Sequence, residues 1–108
     1  MEIDISYEDL EGVFNIEQYC KTHDIDVEKI TYLNCSYNKL TELKGLDKLV
    51  NLKVLECDNN KLKELDLSKL VNLKVLRCED NNLTELKGLD KLVNLRSLND
   101  KEYTQLKK

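Results

Sequence analysis

One stretch of thirteen residues is written twice without a change: Leu40–Leu52 reads L-T-E-L-K-G-L-D-K-L-V-N-L, and Leu83–Leu95 repeats it letter for letter. In a chain of 108 residues, such a match marks a tandem array. That constrains the fold more than composition does, because each unit of an array buries its apolar side only against its neighbours. Between the copies, Leu62–Leu73 reads L-K-E-L-D-L-S-K-L-V-N-L, a third version one residue shorter.

The segments preceding these stretches share a second pattern. Ile30–Leu40, Leu52–Leu62 and Leu73–Leu83 each fit L-x-x-L-x-C-x-x-N-x-L, with starts 22, 21 and 22 residues apart counting on to Leu95. Alternation at Leu33-x-Cys35, Leu55-x-Cys57 and Leu76-x-Cys78 predicts short strands that send these residues inward. Asn38, Asn60 and Asn81 then fall in register, where amide side chains can satisfy backbone groups as the chain leaves the strand.

This combination resembles the leucine-rich repeat family, and within it the 22-residue class of bacterial internalins and phosphatase regulators. The second half of that class reads L-x-x-L-x-G-L-x-x-L-x-N-L, which Leu40–Leu52 matches, and the likeness runs roughly from Ile25 to Leu98. It implies an α/β fold: a short right-handed solenoid with a parallel sheet on its concave face. Asp47, Ser68 and Asp90 suit the N-caps of short helical turns on the convex side. The organisation expected is an N-terminal helical cap over 1–29, repeats over 30–51, 52–72 and 73–94, a partial unit over 95–98, and a degenerate end over 99–108.

Within the cap, Ser6–Asp9 is a capping-box-like start with Leu10 and Phe14 four apart behind it. Asn15 and Gln18 form a better box, followed by an Ile16, Tyr19, Cys20, His23 stripe at helical spacing. One or two helices are therefore expected, broken at Gly12. At the other end Asp100, Tyr103 and Gln105 occupy the slots of cysteine, asparagine and leucine. Asp100 is expected to cap a last turn that folds Tyr103 and Leu106 over the end.

Charge narrows the function. A net charge of −4, a pI near 5.1 and interspersed Lys and Glu argue against nucleic acid, which needs a concentrated basic face. No apolar run is long enough to span a membrane. The acidic opening Met1-Glu2-Ile3-Asp4 lacks the layout of a secretion signal, so a cytoplasmic location is expected. Cys35, Cys57 and Cys78 occupy equivalent positions rather than paired or metal-binding spacings, and they are read as reduced core residues, with Cys20 packed in the cap. His23, the single histidine, accompanies no nucleophile and suits a helix C-terminus. No cofactor, metal or enzymatic activity is expected.

The outward sheet positions remain. Tyr32, Val54, Val75 and Ser97 should form an apolar column, with Asn34, Tyr37, Glu56, Asp58, Arg77, Glu79 and Asn99 around it. An apolar stripe flanked by mostly acidic charge suits a protein or peptide partner of basic and apolar character. Such residues also simply favour strands. The alternative function is structural: a homodimer burying Leu95, Leu98, Tyr103 and Leu106 at the thinly covered C-terminal end.

Overall fold

The computed structural model describes residues 1–103. In chain order the elements are β1 (Glu2–Asp4), β2 (Glu11–Asn15), helix α1 (Ile16–Thr22), β3 (Tyr32–Asn34), β4 (Lys39–Lys44), β5 (Val54–Glu56), β6 (Glu64–Asp66), β7 (Val75–Arg77), β8 (Glu85–Lys87), β9 (Ser97–Leu98) and β10 (Lys101–Glu102). Six of them form one sheet in the order β1-β3-β5-β7-β9-β10. Its pairings are parallel except the last. Leu33, Leu55 and Leu76 lie in register and are at most 2 % exposed, while their strand neighbours are half-buried. Cys35, Cys57 and Cys78 also point into this core and are buried, as the alternation predicts.

The asparagines join one repeat to the next. Asn60 Oδ1 accepts the Leu40 N–H at 3.0 Å, and its Nδ2 donates to the carbonyls of Cys35, Cys57 and Asp58. Asn81 repeats the arrangement with Leu62, Cys57, Cys78 and Glu79. The Cys35 and Cys57 carbonyls thus each accept from their own asparagine and from the next one. A second row does similar work across the turns, where Asn51, Asn72 and Asn94 donate to the carbonyls of Glu28, Val50 and Val71.

The N-terminal segment departs from the expected helices. The sheet begins at Glu2, and Ile3 pairs in register with Leu33. Asn38 accepts from the Leu10 N–H as Asn60 accepts from Leu40, so Leu10 takes the place of a repeat leucine. Ser6–Asp9 is a bend, with the Asp4 carboxylate taking both the Ser6 N–H and hydroxyl and with Tyr7 and Asp9 at positive φ. Leu10 and Phe14 are four apart, which is one helical repeat and also two strand repeats. The strand wins because β2 pairs with β4. Gly12 lies inside β2, at a register shift, rather than between two helices. Among the described residues the one α-helix is α1, and its Asn15 cap accepts the Gln18 N–H at 3.0 Å as expected.

Behind the main sheet, β4 pairs with β2 and β6 with β8, so this layer is split where the shorter repeat begins. Gly45 and Gly88 stand at φ 87° and 82° and open 3-10 turns over Leu46–Lys48 and Leu89–Lys91. The glycines therefore occupy the N-cap positions, and Asp47 and Asp90 lie inside the turns rather than capping them. The shortened repeat lacks this glycine. There Asp66 accepts the Ser68 N–H and hydroxyl, at 3.1 and 2.6 Å, and the bonds hold its carboxyl below the usual range. Ser68 is a donor to Asp66, not a helix cap.

At the far end, Asn99 and Asp100 have φ of 53° and 64° and form a two-residue turn joining β9 to antiparallel β10. Two successive positive φ values suit a tight hairpin, and Asn and Asp tolerate them better than most residues. The expected helical turn at Asp100 is thus a hairpin that covers the sheet edge. Leu98 and Tyr103 pack half-buried against the core, and Leu95 is buried. Gln105 and Leu106 lie outside the described residues. No helix among the described residues is long and apolar enough to cross a membrane.

Candidate interaction face

Parallel pairing lines up the outward residues of the sheet. Glu2, Tyr32, Val54, Val75 and Ser97 form one row, and Asp4, Asn34, Glu56 and Arg77 the next. The expected column of Tyr32, Val54, Val75 and Ser97 is therefore present, half-buried along its length. Strand β1 adds an acidic margin that the helical reading of the N-terminus hid. The signal for it was the period-two pair Ile3-x-Ile5.

Polar groups on this face are largely bonded to one another. The Tyr32 hydroxyl donates a hydrogen bond to Glu56 Oε2. That bond, helped by burial, pushes the Tyr32 phenol up to about 12. A phenol whose pKa is raised on folding contributes stability that is complete below the unfolded value near 10 and is lost as pH rises through about 12. In a spectrophotometric titration, Tyr32→Phe should therefore remove the last tyrosine to ionise. A variant that left the upper end of the curve unchanged would show that the Glu56 bond does not hold in solution.

Asp58 was expected to point outward, but it is only 6 % exposed. Its Oδ1 accepts the Glu79 N–H at 2.7 Å, its Oδ2 accepts from Arg77 Nε at 3.0 Å, and its own N–H donates to Ser36 Oγ. Arg77 reaches onward through Nη1 to Asp100 Oδ2 at 2.5 Å, tying the hairpin to the sheet. The carboxylate of Asp58 raises the Arg77 pKa. A buried carboxylate is retained when hydrogen bonds and a cation surround it, which explains why this aspartate turns in rather than out.

Asn99, also expected on the surface, serves the sheet. In preceding strands the Cys35 and Cys57 N–H groups donate to the carbonyls of Glu56 and Arg77, each at 2.8 Å. Because the chain reverses at Asn99, its side-chain oxygen supplies the corresponding acceptor for the Cys78 N–H, also at 2.8 Å. Asn34 likewise accepts the Ser36 N–H. Tyr37 is exposed and stacks on Tyr7, with ring centroids 4.5 Å apart, so the aromatic contribution to this rim is a pair. Both tyrosines carry positive φ, in adjacent turns joined by the bond from the Tyr7 N–H to the Ser36 carbonyl. Glu79 is exposed.

Burial pushes the Cys35 thiol up to about 12 and the Cys57 thiol well above its ordinary value, and Cys57 Sγ donates to the Arg77 carbonyl at 3.4 Å. Burial thus disfavours the thiolate at both positions. His23 sits at the C-cap of α1, with Nδ1 2.9 Å from the Tyr19 carbonyl and its ring stacked on Tyr19.

Comparison with known proteins agrees with this geometry. A model of the leucine-rich repeats, built on two copies, matches residues 28–69. No curated protein matches the chain. The matched residues carry the leucine, cysteine and asparagine rows from β3 into the shortened repeat, and the structure continues those rows to β7. Residues 28–69 are thus similar to the leucine-rich repeats.

Proposed function

We propose that this chain is a protein-interaction module, a short solenoid whose concave face is the outer side of the six-stranded sheet, and that it takes a protein or peptide there. Leucine-rich repeats generally serve as protein-interaction modules. The observation that carries the reading is the division of labour between positions. Core and turn residues repeat nearly unchanged, whereas the aligned outward row runs Tyr32, Val54, Val75, Ser97. A scaffold needs constancy, and recognition needs difference.

The bonds on this face support the same reading. Tyr32 is fixed by Glu56, and Arg77 by Asp58 and Asp100. A face ordered before contact loses less conformational entropy on binding. The accessible charges at its margins, Glu2, Asp4, Glu79 and Asp80, are acidic. They favour a partner with basic as well as apolar groups.

The test is affinity capture from an extract of the source cell, comparing wild type with a chain carrying Val54→Asp, Val75→Asp and Tyr32→Ala. Binding should fall at least about tenfold, as for loss of a central apolar anchor. Capture that is unchanged, with the folded circular-dichroism spectrum retained, would remove the sheet face from consideration.

A further inference from the structure

A second surface carries the opposite charge. In the turns leading back to the main sheet, Val50, Val71 and Val93 occupy equivalent places and are 40, 45 and 72 % exposed. Side-chain bonds from Asn72 to the Val50 carbonyl and from Asn94 to the Val71 carbonyl stack these turns directly on one another. The valines therefore form a continuous exposed row. Placing an apolar side chain outward in all three copies is the reverse of what solubility favours.

Basic residues flank each of these valines in the sequence. Lys48, Lys69 and Lys91 precede the valines by two positions, and Lys53, Lys74 and Arg96 follow them by three. The second set is stacked by main-chain bonds, Lys74 N–H to the Lys53 carbonyl and Arg96 N–H to the Lys74 carbonyl. Lys48, Lys69 and Val50 line one shallow depression together with Val27, Glu28 and Asp47. Across residues 47–53, 68–74 and 90–96 there are six basic side chains against two acidic ones, in a chain whose net charge is −4.

We infer that this valine row is a second docking surface, for an extended acidic peptide segment with aliphatic side chains. Charge complementarity selects the occupant: acids along the segment meet the flanking basic residues, and its aliphatic groups cover the valines. A lipid surface is the less suited occupant, because the row offers no aromatic or leucine side chain to insert, and an asparagine follows each valine. The surface is separate from the sheet face, whose free charges have the opposite sign.

Peptide display on the full chain, counter-selected against a Val50→Asp, Val71→Asp, Val93→Asp variant, tests this. The expected pool is enriched in Asp and Glu interspersed with aliphatic residues. A synthesised winner should bind at least about tenfold more weakly to that variant and to a Lys48→Glu, Lys69→Glu, Lys91→Glu variant. It should lose affinity as salt rises and be unaffected by Val54→Asp with Val75→Asp. Three results would overturn the proposal: no peptide surviving counter-selection, a pool without acid enrichment, or valine-dependent binding to phosphatidylserine-rich vesicles without peptide binding. All six altered side chains are partly or fully exposed, so the lysine variant keeps the test decisive should the valine variant misfold.

Discussion

Replacing Asn60 by alanine lowers the stability of the fold by roughly 3 kcal/mol, measured by denaturant unfolding, because a buried polar group left without a partner costs about 1–3 kcal/mol and the other lost amide bonds add to it. Asn60 is 7 % exposed and bonds to four main-chain groups in two repeats. Cys35 and Cys57 carbonyls retain bonds from Asn38 and Asn81, but the buried Leu40 N–H loses the acceptor that Asn60 supplied. The neighbouring Asn82 is exposed, and its replacement by alanine should change stability by less than about 0.5 kcal/mol. Equal effects at the two sites would mean that the asparagine row is not what joins the repeats.

Gly88→Ala is the second large effect, about 3 kcal/mol, and it should exceed that of Gly45→Ala although the two glycines stand in identical stretches of sequence. Both have left-handed φ and share a cost of about 1–2 kcal/mol for any L side chain. Their neighbours differ. A Cβ at Gly88 would lie 2.5 Å from the Ser68 main chain, whereas at Gly45 the closest atom, Glu17 N, is 3.2 Å away. The shortened repeat brings Ser68 against Gly88, and its backbone cannot move aside as a side chain could. Thermal unfolding of the two variants in parallel measures the difference, and matching losses would show that this close approach is relieved in solution.

That pair also shows how far the sequence could be read. Periodicity places the strands, the inward leucines and cysteines, and the asparagine row, because each depends on spacing along the chain alone. It could not separate Gly45 from Gly88, whose surroundings come from other repeats. It misassigned Ser6–Phe14, where a four-residue spacing serves helix and strand equally. Among the face residues, Val54, Val75 and Tyr32 fall where alternation puts them. Asp58 and Asn99 do not, since each is drawn inward by hydrogen-bond demands of neighbouring strands, Arg77 and Glu79 N–H for one and Cys78 N–H for the other. The exposed valines were legible as a repeated V-N-L. Their meaning emerged only once Val50, Val71 and Val93 proved to stand outward in one row with lysines beside them.

The scaffold and the face are thus built from different residues, and the central claim is that contact with a partner occurs on the sheet side. Photo-crosslinking from a benzophenone side chain placed singly at position 54, on the sheet face, or at position 13, exposed on the β2–β4 layer, measures this directly in an extract of the source cell. The account predicts a discrete adduct from position 54 and none from position 13. Adducts of equal yield from both positions, or from position 13 alone, would contradict it.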